Sequence, residues 1–172
     1  MFPNRRYAEA SAAFLKAGRN REAAISDAYL LREKALSIST TAGAARIQAF
    51  IIAANAFSKC AEDFPSKQVN ERQTYYRIAG ECHSETHDLK SAGDSYRMAE
   101  QYPAAAHAYR KGGYIDEMVG VITKHRNALD SDLLRRLTMV SRAYYFKVCF
   151  NIALFADISH SLYVAFQHQV ST

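Results

Sequence analysis

Tryptophan is absent from this 172-residue sequence, and the main breakers of regular structure are scarce, with three prolines and seven glycines. Alternating runs of β-branched residues, which would indicate strands, are missing as well, whereas alanine is abundant. A chain with few helix breakers and no strand periodicity favours helix throughout. We therefore expect an all-α fold, and 172 residues are enough for a single domain with a substantial core.

Cysteines and long apolar runs are also few. Cys60, Cys82 and Cys149 form an odd set at no metal-ligand spacing, which predicts reduced thiols rather than a disulfide framework. The first residues hold no apolar segment of the kind found in secretory signals, and no apolar run is long enough to span a bilayer. These absences predict an intracellular protein, cytoplasmic or nuclear, without a membrane partner.

Charge of one sign is not concentrated anywhere in the chain. The net charge of +5 arises from 22 basic and 17 acidic side chains that are interspersed. This distribution favours a solvated, mildly basic surface over a dedicated nucleic-acid patch.

Local turn chemistry divides the chain into helices. Gly18 and Gly113 are predicted to end helices in the left-handed conformation, and Pro103 to lie in a first helical turn. We expect three polar residues to cap the helices that follow them: Asn20, Asp88 and Asp130. The breaks are predicted at 17–20, 37–43, 63–67, 84–88, 100–103, 111–114 and 127–132. They leave about eight helices joined as antiparallel hairpins.

A short pattern recurs within these helices: a small residue, an aromatic four positions later, and another small residue three further on. It occurs as Ala10-Phe14-Ala17, Ala53-Phe57-Cys60, Ala92-Tyr96-Ala99 and Ala105-Tyr109-Gly112, and Tyr76 with Ala79 keeps its second half. These spacings place all three side chains on one helix face, where small residues let a neighbouring helix approach. We expect the five aromatic residues of the pattern, Phe14, Phe57, Tyr76, Tyr96 and Tyr109, to be core.

Longer segments repeat as well. The segment "AFLKAGRNREAA" aligns without a gap with "AYRKGGYIDEMV", and "YRIAG" recurs as "YRKGG" about 33 residues later, close to the tetratricopeptide (TPR) repeat length. The period is not uniform, because residues 20–64 hold two longer helices. The sequence therefore predicts an irregular α-solenoid of helix hairpins.

Four segments together resemble the helical-repeat region of large fungal UvrD-like, superfamily 1 helicase-type proteins, the relatives of TPR and ankyrin repeat-containing proteins. They are "AAFLKAGRNREAAISDAYLLREKA", "ERQTYYRIAGEC", "AAAHAYRKGGYIDEMVGVITKHRNALD" and "RAYYFK". The resemblance covers about residues 8–147, and its aromatic and small residues are shared with all tetratricopeptide-like arrays, including vesicle-fusion adaptors. In the helicase-type family the repeats accompany a separate ATPase. No G-x-x-x-x-G-K-[ST] run occurs here, so the resemblance implies an accessory segment or fragment rather than the ATPase itself.

The C-terminal residues differ from the rest of the chain. Residues 148–172 contain no Lys, Arg or Glu and a single acid, Asp157, whereas a repeat array is expected to end in a polar capping helix. We predict a TPR-like domain over 1–147 and an atypical apolar tail or last helix over 148–172. The tail is interpreted as an apolar helix on the last repeat, as foreign sequence, or as a membrane-touching segment, which its lack of basic residues disfavours.

One short segment offers candidate chemistry. Cys82, His83 and His87 lie within six positions, and the two histidines have the i, i+4 spacing of paired metal ligands. No third ligand has a fixed position, and neighbouring side chains on a helix diverge, so Cys82 and His83 cannot form a nucleophile-base pair. We expect packing for Cys82 and a place near a helix C-terminus for the histidines. No catalytic, metal-binding or cofactor-binding residue is predicted, and no small-molecule substrate.

The remaining hypothesis is a non-enzymatic module that contacts a protein partner or neighbouring domains of a larger protein. Exposed tyrosine and arginine are enriched at interface hot spots, and the same residue types would allow weak contact with single-stranded nucleic acid, the alternative function. The predicted contact surface consists of Arg72, Tyr75, Arg110, Lys111 and Tyr114. In the tyrosine pairs Tyr75-Tyr76 and Tyr144-Tyr145, we expect one ring to pack inward and the other to be partly exposed.

Overall fold

A computed structural model describes the backbone of residues 3–65 and 67–170 and the side chains of residues 6–65 and 67–151. All regular elements in these ranges are helical, with eight α-helices and one short 3-10 helix, so the all-α prediction is confirmed. The elements are α1 (Pro3–Lys16), α2 (Asn20–Ser37), α3 (Gly43–Glu62), α4 (Val69–Glu85), α5 (Leu89–Met98), α6 (Tyr102–Gly112), α7 (Ile115–Lys124), the 3-10 helix (Arg126–Ala128) and α8 (Ser131–Val170). Every predicted break coincides with a junction between consecutive helices.

The helix ends follow the predicted chemistry with one exception. Gly18 and Gly113 have φ values of +70° and +78°, in the left-handed region. Asp88 accepts a hydrogen bond from the Ser91 amide at 3.1 Å, and Asp130 accepts one from the Leu133 amide at 2.8 Å. The prediction for Asn20 is wrong, because α2 begins at this residue itself and no side chain caps its first turn.

The recurring aromatic pattern marks where helices end. In α1, α5 and α6 the carbonyl oxygen of the pattern aromatic accepts a hydrogen bond from the amide five residues later: Phe14 from Arg19 at 2.9 Å, Tyr96 from Gln101 at 2.8 Å and Tyr109 from Tyr114 at 2.9 Å. The residue four positions after each aromatic is left-handed, namely Gly18, Glu100 and Gly113. This geometry closes the last helical turn and reverses the chain toward the next helix.

The first of two compact units ends at Leu129, and within it helices α1 to α7 pack in chain order, each against the next. The main core cluster lies among α2, α3 and α4. It contains many small side chains around the fully buried rings of Phe50 and Phe57. Its buried members are Ala28, Ala35, Phe50, Ala53, Ala54, Phe57, Cys60, Ile78, Ala79 and Cys82. Alanines and cysteines at these positions let the helix axes approach closely, as the pattern predicts.

Two glycines extend the close packing through α5 and α6. A Cβ atom added at Gly80 on α4 would lie 2.9 Å from the ring of Tyr96 on α5. One added at Gly93 on α5 would lie 2.5 Å from the ring of Tyr109 on α6. Each aromatic ring therefore rests directly on the backbone of the preceding helix, which leaves no space for a methyl group there.

The expected core aromatics divide into two groups. Phe57, Tyr76 and Tyr109 are buried, with 0%, 7% and 1% of their surface exposed, so these three predictions are confirmed. Phe14 and Tyr96 are only partly buried, and for them the prediction is wrong. Phe14 lies on α1, which has a packing neighbour on one side only, and the Arg19 guanidinium covers its ring at 4.9 Å. The hydroxyl of Tyr96 reaches past Gly80 to the Ser84 hydroxyl at 3.4 Å.

The second compact unit, from Asp130 onward, contains α8, a single helix of 40 residues. The predicted boundary at residue 147 falls inside this helix, which continues past it without a break. Met139, Phe146 and Phe150 are exposed on α8. Tyr144 and Tyr145 are both exposed as well, so the prediction that one ring of this pair packs inward is wrong. The side chains of 152–172 lie outside the described residues, so the interpretations of the tail stay predictions. Within the described part of the chain, no helix combines the length and apolarity needed to cross a membrane.

Candidate functional site

The five predicted contact residues occupy three environments in the first unit. Arg110 and Lys111 are exposed at the C-terminal end of α6, and Tyr114 is half-buried beside them, where the Lys90 ammonium lies 5.6 Å from its ring centre. Tyr75 is half-buried at the edge of the core, where its ring stacks with Phe57 and Phe64, at centroid distances of 6.3 and 5.4 Å. The Tyr75 side chain therefore packs against the core and is also partly accessible to solvent.

Arg72, the fifth residue, lines a cleft of about 340 Å³ between α4, the α5–α6 turn and the end of α7. We call it the Arg72 cleft. Its polar lining consists of Arg72, Gln73, Arg97, Glu100 and His125, and its apolar and aromatic lining of Val69, Tyr76, Met98 and Tyr102. A concave site of this size, with apolar walls and a few polar groups, has the ordinary character of a binding pocket.

The wall of the Arg72 cleft is built from elements far apart in sequence. The imidazole of His125, just after α7, stacks on the ring of Tyr102 at the start of α6, with a centroid distance of 3.7 Å and an interplanar angle of 12°. Arg97 comes from the last turn of α5 and Arg72 from the first turns of α4. The stacking of α4 to α7 in chain order is what brings these helix ends together.

A second cleft of about 230 Å³ adjoins the first and shares Arg97 and His125 with it. Here Asp94 accepts a hydrogen bond from the Tyr109 hydroxyl at 2.7 Å and lies 3.6 Å from the Arg97 guanidinium. Burial raises the pKa of Tyr109 to about 12, so its hydroxyl remains protonated at neutral pH and continues to donate. Asp94 thus offsets much of the charge that Arg97 brings to both clefts.

Of the residues that line the Arg72 cleft, the predicted contact surface contains Arg72 alone. The most informative of the others are Arg97, Tyr102 and His125. Arg97 had a signal, because an arginine directly follows the aromatic residue at Tyr76, Tyr96 and Tyr109. The contact between Tyr102 and His125 had none, since Tyr102 begins α6, His125 follows α7, and neither residue lies in a repeated segment.

The segment with Cys82, His83 and His87 spans the C-terminal end of α4 and the turn that follows it. Cys82 is buried in the core, and burial raises the pKa of both Cys60 and Cys82 to about 11, so these thiols are protonated at neutral pH. Helix α4 ends at Glu85, and His87 follows it with a φ of +59°, so the i, i+4 helical spacing of the histidines is not realised. Among the described residues no cluster of His, Cys, Asp or Glu could hold a metal ion.

His83 takes the place that an aromatic ring takes in the other helices. It follows Ala79 by four positions and precedes the left-handed His87 by four, as Tyr96 does for Ala92 and Glu100. The His83 carbonyl is capped by the Thr86 hydroxyl at 2.8 Å. The nearby acids have structural partners too: Glu81 pairs with Arg32 and Arg77, and Glu85 with Arg46.

Protonation of His83 is expected to destabilise the fold. Burial lowers the pKa of His83 from 6.5, although Asp88 partly opposes this, and its Nδ1 atom is shielded without a hydrogen-bond partner among the described residues. The unfolded chain therefore takes up a proton below about pH 6.5 more readily than the folded chain does. The stability that the fold has with a neutral His83 is therefore complete above about pH 6.5 and is lost as the pH falls below this value. We expect the temperature of the thermal midpoint to decrease when the pH is lowered from 7.5 to 5.

The matched variant for this prediction is His83→Phe, which restores the aromatic residue of the pattern and removes the titrating group. Its thermal midpoint should vary less with pH over the same range than that of the wild type. Equal pH dependence of the two proteins, measured by circular dichroism, would assign the effect to other groups.

Comparisons with family models, curated proteins and solved structures found no match to this chain.

Proposed function

We propose that this chain is a non-catalytic helical-repeat module that binds a protein partner, with the Arg72 cleft as its contact site. The observation that carries the proposal is the cleft itself, because it is formed by the ends of four consecutively packed helices. Such packing produces concave surfaces in irregular α-solenoids, and arginine and tyrosine are the residue types that dominate interface hot spots. Arg72, Arg97 and Tyr102 supply both types.

The kind of larger protein in which this module would act is proposed from the sequence resemblance alone. An accessory segment of an intracellular helicase-type protein would use the cleft for a partner or for a neighbouring domain of the same protein. A scaffold similar to the vesicle-fusion adaptors would use the same site, since the repeat architecture is common to both.

Binding of single-stranded nucleic acid is the second candidate. It is supported by the stacked rings of Tyr102 and His125 next to two arginines, because bases stack on aromatic rings and phosphates pair with guanidinium groups. The charge balance favours a protein partner over nucleic acid. Asp94 lies against Arg97, and Glu100 lines the cleft, so no continuous basic track for a phosphate backbone is present among the described lining residues.

Site-specific photo-crosslinking tests the proposal in cells. A photoreactive amino acid replaces Gln73, which lines the Arg72 cleft, and in a matched protein it replaces Gln48, which is exposed on α3 and lines neither cleft. We expect a discrete protein adduct at position 73 that is absent at position 48. Adducts to nucleic acid at position 73, or the same adducts at both positions, would contradict a protein-binding role for the cleft.

A further inference from the structure

The chemistry of the Arg72 cleft also defines what part of a partner it would hold. The Nε atom of Arg72 is shielded from solvent and has no hydrogen-bond partner among the described residues. A buried donor without a partner is costly, and a charged one more so. The other nitrogens of the Arg72 guanidinium have no hydrogen-bond or ion-pair partner among the described residues either. The guanidinium therefore has donor capacity that the described part of the protein does not use.

The charges around Arg72 leave it as the dominant unneutralised cation of the cleft. Arg97 is engaged by Asp94 at 3.6 Å, whereas no carboxylate of the described residues lies within ion-pair distance of Arg72. Glu100 lines the cleft but is exposed at the left-handed end of α5. An incoming anion would thus meet one free guanidinium and a second one already held in a fixed position.

The rim of the cleft is apolar. Val69 and Met98 are 45% and 44% exposed, although both are large hydrophobic residues, and the stacked pair of Tyr102 and His125 also lines the cleft. Apolar side chains beside a guanidinium suit a ligand that presents an apolar group next to a negative one. The planar fork of an arginine matches the two oxygens of a carboxylate.

We propose that the Arg72 cleft binds a carboxylate of an acidic, partly apolar peptide segment in the partner protein, with Arg72 as the principal donor. The neighbouring apolar side chain of the peptide packs on Val69 and Met98. This inference rests on the proposed protein-binding function and specifies its ligand. The carboxylate is that of a glutamate or aspartate side chain, and the amidated probe below would reveal a C-terminal carboxylate instead.

Fluorescence anisotropy with synthetic peptides tests the inference. The probe is a short fluorescein-labelled peptide of alternating glutamate and leucine with a free C-terminus. It is compared with an amidated version, with a version in which glutamine replaces glutamate, with an uncharged version that has both changes, and with labelled poly-dT. We expect the acidic peptide to bind and the version that has glutamine and an amidated C-terminus not to bind. Loss on amidation alone assigns the carboxylate to the C-terminus, and loss on glutamine replacement alone assigns it to side chains.

Two variants make the test specific to the cleft. Arg72→Gln should weaken binding about tenfold or more, since it removes a charge-assisted hydrogen bond. Arg136→Gln removes an equal charge from an exposed position on α8, outside both clefts and outside the predicted contact surface, and should change affinity less than about twofold. The thermal midpoint of Arg72→Gln should be no lower than that of the wild type, because Arg72 has no hydrogen-bonded or ionic partner among the described residues and its shielded Nε donor is a cost to the free protein.

Equal weakening by the two variants, or equal binding of the acidic and the uncharged peptides, would overturn the inference. Tighter binding of poly-dT than of the acidic peptide would replace it with the nucleic-acid role. A protein adduct at position 73 without affinity for acidic peptides would leave the protein-binding function in place and refute only the carboxylate ligand.

Discussion

Replacement of Tyr109 by alanine is expected to lower the free energy of unfolding by about 3 to 5 kcal/mol. The Tyr109 side chain is 1% exposed, its ring rests on the backbone at Gly93, and its hydroxyl donates to Asp94 at 2.7 Å. Truncation empties a site that is closed by two helices, so the cavity cannot collapse without moving α5 or α6. Urea denaturation followed by circular dichroism measures the change.

Two control variants separate the ring of Tyr109 from its hydroxyl and from general effects of losing an aromatic side chain. Tyr109→Phe keeps the ring and loses one hydrogen bond to a charged acceptor, which should cost about 1 to 2 kcal/mol. Phe146→Ala removes a ring that is 76% exposed and should change stability by less than about 0.5 kcal/mol. If Tyr109→Ala were no more destabilising than Phe146→Ala, Tyr109 would not be part of the core and the packing described for α5 and α6 would be wrong.

Gly93→Ala is expected to destabilise the protein by about 1 to 3 kcal/mol, although alanine is the better helix former. The reason is that the added methyl group would lie 2.5 Å from the Tyr109 ring, which is buried and tied to Asp94 and so cannot move aside easily. The same denaturation experiment measures this change.

Gly120→Ala is the matched control. Gly120 lies within α7, and a Cβ atom added there meets no atom within 4 Å. This substitution should leave stability unchanged or raise it by up to about 1 kcal/mol, as helix propensity alone predicts. Opposite signs for the two glycine variants support close helix packing at Gly93, whereas a stabilising Gly93→Ala would contradict it.

The sequence was sufficient to predict the helices and part of the core. Helix breaks depend on local chemistry, and Gly18, Gly113, Pro103 and Asp88 act where they stand in the chain. The aromatic pattern was predictive for the same reason, although its second role, closing the last turn of α1, α5 and α6, was not foreseen. Spacing reports which residues share a helix face but not which carbonyl is bonded at the helix end.

Burial and the cleft could be predicted only in part, because they depend on how many neighbours each helix has. Phe14 has the same local pattern as Tyr109, yet it is more exposed, since α1 packs against a neighbour on one side only and α6 lies between two helices. Arg72 was named from the sequence, but the contact of Tyr102 with His125 joins helices that only the packed fold brings together. A site that is assembled from several helix ends is therefore hard to recognise from short sequence patterns.

Photo-crosslinking from position 73 is the measurement that most directly tests the central claim, a protein-binding module whose contact site is the Arg72 cleft. The account predicts a discrete protein adduct at position 73, none at position 48, and loss of the adduct when Arg72→Gln is added to the position 73 protein. Adducts to nucleic acid, or protein adducts that are the same at both positions and unaffected by Arg72→Gln, would contradict it.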